Sequence, residues 1–321
     1  MATLPVNAFT AYYNTRAEAS HRTNRAGARQ DNRPLKTFNM TTVAIVGAGD
    51  VGGATAQALA AGDRISRVVL IDAAEPAATG KALDIQQSGA VDLFHTRLEG
   101  TGDESRVVGC HVCVIADRFG AHAGEWQGEE GLAMLIRLLP YLADAPIVFA
   151  GASQVELLGR AAEEARIPRE HLIGSSLEAL GSAVRAIVAM EAGCSPRDVM
   201  LTVLGTPPAG FVVPWTEASI GGYAMERMLS QVQLARIEAR TAYLWPPGPY
   251  TLGAAAARVT EGILCNSRRS FSILTQLVGE FGVRNRVGAL PARLAACGIV
   301  HTRVPDLSTR EHVRLQTALG G

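Results

Sequence analysis

Residues 42–62 read TVAIVGAGDVGGATAQALAAG, and this stretch decides the fold. Val43, Ala44, Ile45 and Val46 form an unbroken apolar run, as a strand buried on both faces requires, and Gly47-Ala48-Gly49-Asp50-Val51-Gly52 follows directly. Residues 51–62, VGGATAQALAAG, suit a helix. Strand, glycine turn and helix in that order are the context in which a Gly-x-Gly-x-x-Gly pattern signifies dinucleotide binding. Gly47 permits the tight turn, Gly49 lets the backbone approach a pyrophosphate, and Gly52 packs helix against strand. The helix opening at Asp50 and Val51 offers free N–H groups and a positive dipole end to phosphates. Asp72 closes the next apolar strand, twenty residues after Gly52. It is placed to accept hydrogen bonds from the adenosine ribose hydroxyls and to repel a 2′-phosphate, which favours NAD over NADP. The other reading of the glycines is that they preserve the turn alone.

The alternation continues outward. RVVLIDAA (67–74), VVGCHVCVIAD (107–117) and APIVFAGAS (145–153) are short buried strands, separated by helical stretches at 75–91 and 130–144. Such βαβ units predict an α/β protein with a doubly wound parallel sheet. From about Leu172 longer helices take over (177–193, 224–245 and 250–265), then the strand-like SFSILTQLVG (270–279) and a closing helix after Pro305. The expected organisation is an N-terminal extension at 1–40, a Rossmann dinucleotide-binding domain at 41–170 and a second α/β domain at 171–321. The extension carries six basic residues from Arg16 to Lys36 against Glu18 and Asp31, with no regular apolar pattern. It reads as a solvated tail, as an arm that orders on an acidic protein partner or, on composition alone, as a mitochondrial-type transit peptide.

Composition narrows the function class. Hydrophobic residues make up 48% and charged residues 19%, and thirty basic against thirty acidic side chains leave no net charge to attract nucleic acid. No apolar run is long enough to span a membrane. Five scattered cysteines do not make a disulfide framework and suit the cytoplasm.

The chain resembles the lactate/malate dehydrogenase family. VAIVGAGDVGGATAQALA (43–60) looks like that family's opening unit, and VVLIDAAEPAATGKALDIQQS (68–88) like its second strand and helix. IPREHLIGSS (167–176), VLGTPPAGFVVPW (203–215), GPYTLGAAAARVTEGILC (248–265) and VGEFGVRNRVGALPARLAACGI (278–299) are similar to later segments, in the same order. The resemblance implies a Rossmann domain followed by an α/β substrate domain, in a homodimer or homotetramer.

It also implies a set of reacting groups. In this family a His moves the hydroxyl proton while the nicotinamide takes the hydride, and an Asp orients that His. One Arg clamps the substrate carboxylate, an Arg on a mobile loop polarises the carbonyl, and an Asn bonds the substrate oxygen. Here the His position is Pro207, the Asp position Glu178 and the clamping Arg position Gly181. The loop runs from Arg118 to Gln127; its Arg falls on Gln127, or on Trp126 if the loop is shifted by one. The Asn becomes Gly151, and a Gly expected near the nucleotide path becomes Asp117. Glu178 is a longer carboxylate with nothing evident to orient.

Replacement at all five reacting positions, with the glycine turn intact, points to lost dehydrogenase chemistry. The expected function is a pseudoenzyme, a structural or regulatory subunit of a protein complex that binds NAD(H) as a fixed ligand or lacks it. The alternative is an NAD-dependent oxidoreductase, either a malate or lactate dehydrogenase or one whose substrate has no carboxylate. His122, in the loop, is the one replacement acid–base candidate, though a loop histidine is ordinarily just solvated. Cys110 and Cys113 are three apart on a strand, point to opposite faces and read as core thiols. Trp215 and Trp245 flank the expected substrate region, where large aromatics usually pack. Arg268 and Arg269 read as a solvated turn.

Overall fold

The structure, a computed structural model, describes residues 41–120 and 124–320. The N-terminal extension at 1–40 and His122 lie outside the described residues. The N-terminal half begins β1 (Thr42–Val46), α1 (Asp50–Ala61), β2 (Arg67–Ile71), α2 (Glu75–Asp92) and β3 (Arg97–Thr101). It continues with β4 (Val112–Ile115), α3 (Gly128–Leu142), β5 (Ile147–Phe149), α4 (Val155–Glu163) and β6 (Leu172–Gly174). These six strands are parallel, in the order β3-β2-β1-β4-β5-β6. That is the doubly wound order of a Rossmann sheet, and its direction reverses between β1 and β4.

Alternation along each strand explains why helices cover both faces. Val43 and Ile45 of β1, Val68 and Leu70 of β2, and Val112 and Val114 of β4 pack with Ala56 and Leu59 of α1 and with Ala78 and Ile85 of α2. Their neighbours Ala44, Val46, Val69, Ile71, Cys113 and Ile115 pack with Leu132, Leu135 and Leu138 of α3 and with Leu157 of α4. A strand buried on both faces has no polar position to spare, hence the unbroken apolar runs. β3 is the exception. Its RLEGT lies at the sheet edge and is only half-buried, so no apolar run announces it.

Beyond β6 come α5 (Ser176–Ala192), β7 (Val199–Met200), β8 (Leu204–Gly205), β9 (Phe211–Val212), β10 (Ser219–Ile220) and β11 (Tyr223–Ala224). Then follow α6 (Met225–Met228), α7 (Gln231–Thr241), α8 (Pro249–Leu264), β12 (Ser270–Val278), β13 (Arg284–Ala295), β14 (Gly298–Thr302) and α9 (Thr309–Ala318). β12 pairs antiparallel with β6 through Leu274 and Gly174, so the sheet continues across residue 170 into β13, β8 and β9. β7, β10 and β11 form a separate small sheet.

The helix expected over 224–245 is broken. α6 ends at Met228, and Ser230 starts α7 anew by accepting from the Gln233 N–H while the Gln233 side chain accepts from the Ser230 N–H. This reciprocal cap satisfies two amides that a continuous helix would bond to its own carbonyls.

Candidate functional site

The carboxyl ends of β1, β4 and β5 lie side by side at the strand-order reversal, where α/β sheets bind their ligands. From β1 the chain enters the glycine turn. Gly47 takes a φ of +116°, and a Cβ there would overlap the Asp117 carbonyl. A Cβ at Gly52 would overlap the Gly47 carbonyl. The first and third glycines thus bring strand, helix and the end of β4 into contact, as the motif's spacing predicts.

The second glycine serves an unexpected neighbour. Asp117 leaves β4 and turns its carboxylate onto the N-terminus of α1. Oδ2 accepts from the Asp50 N–H at 2.8 Å and Oδ1 from the Gly52 N–H at 2.9 Å, while the Asp117 carbonyl accepts from the Gly49 N–H at 2.8 Å. A Cβ at Gly49 would overlap that carboxylate. Asp117 thereby caps the helix from another strand, with a full negative charge at the positive dipole end.

Asp72 is 7% exposed and equally engaged. Its Oδ2 accepts from the Ala48 N–H (2.8 Å) and the Phe119 N–H (2.9 Å), and its Oδ1 from the Ala74 N–H (2.9 Å). A carboxylate offers about four lone pairs, and three are taken by main-chain amides. Lys81 on α2 completes the surround: its Nζ donates to the Gly49 carbonyl at 2.7 Å and lies 5.8 Å from the Phe119 ring centre.

After Asp117, the described residues on either side of 121–123 pair with each other. The Arg118 N–H bonds the Gly124 carbonyl, and Asp117 bridges antiparallel to Glu125. The Arg118 guanidinium stacks on Trp126, 4.6 Å from its ring centre, and pairs with Glu130 of α3. Glu125 then reaches the turn after β5, where its oxygens accept from the Ala152 N–H at 2.9 Å and the Ser153 N–H at 2.6 Å. A Cβ at Gly151 would overlap the Glu125 carboxylate. Gly151, which the resemblance sets at an Asn position, is therefore the residue that admits Glu125. Sequence reading missed this pair because its members are 26 positions apart and Glu125 carries no motif.

Glu178, which the sequence left with nothing evident to orient, is held by partners of its own. It is 5% exposed on α5, and its Oε1 accepts from Arg185 Nη2 at 2.7 Å, with Arg258 Nε at 3.7 Å. Its Oε2 accepts from the Ser272 N–H at 3.2 Å. Gly181 stands between Glu178 and Arg185 on the same helix and is buried against Val203. Gln127 is exposed at the start of α3. Pro207 is buried in the turn after β8 and lines a cleft of about 270 Å³ with Phe211, Val213, Trp215, Glu238 and Trp245. The Trp215 indole N–H donates to Glu238 at 3.1 Å, and Arg314 faces the same carboxylate at 3.8 Å. No described histidine lines this cleft. Burial pushes the Cys110 thiol up to about 11 and also raises Cys113 well above its ordinary value. Cys113 is a core thiol of β4, whereas Cys110 lies before the strand, is half-buried and packs on the same side, not the opposite face the spacing suggested. Arg268 and Arg269 are exposed. Among the described residues no acidic, His and Cys group could hold a metal, and no helix is long and apolar enough to cross a membrane.

Residues 41–127 match the model of the lactate/malate dehydrogenase NAD-binding domain. The chain is 29% identical over 298 residues to a malate dehydrogenase of Thioalkalivibrio sulfidiphilus, covering 88% of this chain and 97% of that protein. The solved malate dehydrogenase of Salinibacter ruber superposes with a TM-score of 0.78 at 25% identity, over 87% of this chain and 94% of that one. The lactate dehydrogenase of Cryptosporidium parvum, solved with lactic acid and nicotinamide adenine dinucleotide, shares the fold with a TM-score of 0.79 at 20% identity, over 88% and 96%.

Proposed function

We propose that this chain, which is similar to lactate/malate dehydrogenases over most of its length, is a non-catalytic member of that family acting as a structural or regulatory subunit. The observation that carries this reading is the pairing of Glu178. In the family's arrangement a carboxylate here orients the proton-carrying His; in this chain Pro207 holds that position, and Glu178 bonds Arg185 and the Ser272 amide instead. The guanidinium on α5 is thus turned to an internal acid rather than to a substrate carboxylate. Losing acid–base and electrostatic assistance together removes roughly 10⁴-fold or more in rate.

Self-association as a homodimer or homotetramer belongs to the same reading. Support comes from Tyr250, which is 84% exposed beside Lys81 and Ile85. The basic residues 1–40 are proposed as an arm for an acidic protein partner, and the five free cysteines suit a cytoplasmic setting. A second reading rests on the cleft beside Pro207. Its Trp, Phe and Pro lining would suit an uncharged carbonyl substrate, as in an oxidoreductase that needs no carboxylate clamp.

Steady-state NADH oxidation separates these. Oxaloacetate, pyruvate and a panel of uncharged aldehydes and ketones are expected to give no rate above background. A kcat of about 1 s⁻¹ or more, within the ordinary enzyme range, contradicts the proposal. If the rate appears only with uncharged carbonyls, the second reading replaces the first.

A further inference from the structure

The family's cofactor can be tested against the residues that would hold it. A dinucleotide's pyrophosphate would need the first amides of α1, and the Asp50 and Gly52 N–H groups already donate to the two oxygens of Asp117. A phosphate approaching these amides would compete for the same donors and meet a like charge at close range. The ribose acceptor is also engaged, because Asp72 holds Ala48, Ala74 and Phe119. The residues present do not fit the group.

We propose that Asp117 and Glu125 together form a built-in plug of the dinucleotide site, with the Asp117 carboxylate standing in for the pyrophosphate. Two independent features make it a coherent device rather than one stray side chain. The first is its second foot: Glu125 fills the amides of Ala152 and Ser153 at the end of β5, as Asp117 fills those of α1 at the end of β1. The second is that each acid has a matching glycine, since Gly49 and Gly151 are the positions where a Cβ would overlap Asp117 and Glu125. Gly151 and Asp117, read from the sequence as separate losses, thus belong to one arrangement. The Phe119 amide on Asp72 and the Arg118 ring contact with Trp126 hold the residues next to each foot in place. The helix N-terminus receives the negative charge it favours from the chain itself, so the fold needs no nucleotide to satisfy it.

The inference deepens the non-catalytic reading and rests on it, but its test is separate. NADH is titrated into the full-length wild type, followed by NADH fluorescence and calorimetry. The expected result is a Kd weaker than about 1 mM. Asp117→Gly removes the carboxylate from the cradle and is expected to tighten binding at least about tenfold, to roughly 100 µM or better. Asp117→Asn keeps the side chain's shape without its charge; if the glycine variant does not melt cooperatively, the asparagine variant decides, with an expected gain of about fivefold. Wild-type binding tighter than about 100 µM, or a folded variant that binds no better than wild type, overturns the plug. Tight wild-type binding without turnover would overturn the plug and leave the non-catalytic reading standing; turnover would overturn that reading.

Discussion

Glu178→Ala is expected to destabilise the protein by about 3 kcal/mol, because it strips a buried ion pair of one member. Glu178 is 5% exposed, and its loss leaves the half-buried Arg185 guanidinium and the buried Ser272 amide without their acceptor. The expected fall in Tm is roughly 6–10 °C for a chain of this size. Glu178→Gln keeps an acceptor of the same shape and should recover part of the loss. Thermal melts of both variants check this. A Tm within about 2 °C of wild type for the alanine variant would mean that Glu178 does not anchor α5 to β12.

Gly47→Ala should cost a similar amount for a different reason. Gly47 has a φ of +116°, a region that L side chains rarely adopt, and a Cβ there would overlap the Asp117 backbone carbonyl. Strain of about 1–3 kcal/mol and overpacking of about 1–3 kcal/mol act together, for an expected loss of about 3 kcal/mol. Gly80→Ala is the control. Gly80 lies inside α2, a Cβ there meets nothing within 4 Å, and the substitution should stabilise by about 0.5–1 kcal/mol. Chemical denaturation with and without NADH distinguishes packing from binding. The loss at Gly47 is expected to be the same in both conditions, since the glycine serves the turn rather than a ligand. A loss seen only with NADH present would contradict this.

If Asp117 fills the cradle as proposed, that contrast accounts for a glycine pattern kept without its usual ligand. Two of its three glycines are required by backbone contacts among β1, α1 and the end of β4, and the third makes room for Asp117. The pattern is legible because it is local: strand, turn and helix lie within 21 residues. The buried strands are legible for the same reason, since burial on both faces leaves an unbroken apolar run in β1, β2, β4 and β5. β3 escapes because an edge strand is only half covered. The break at Leu229 and Ser230 escapes because an apolar stripe continues on either side of a cap.

The site was readable only as a set of replacements. Pro207, Gly181 and Gly151 can be seen to lack the chemistry of the family's residues, yet nothing local says what stands in its place. The Asp117 carboxylate finds its amides 65 and 67 positions upstream, Glu125 finds its own 27 and 28 positions downstream, and Glu178 meets the Ser272 amide 94 positions away. Such partners depend on which strands become neighbours, and spacing along the chain does not encode that. Arg185 is the exception. It lies two helical turns after Glu178, within reach along one face, and a closer reading of helical spacing would have paired them.

The most direct test of the account looks at the two amides under Asp117. With ¹⁵N-labelled wild-type protein, the Asp50 and Gly52 N–H resonances are followed by NMR while NADH is added to about 1 mM, and their hydrogen exchange is measured without it. With Asp117 on these amides, both should exchange slowly and neither resonance should move on adding NADH, while Asp117→Gly should speed the exchange and restore a saturable shift. Fast exchange at Asp50 and Gly52 in the wild type, or a saturable shift of their resonances with NADH, would show that the glycine turn is open to a nucleotide and would contradict the plug.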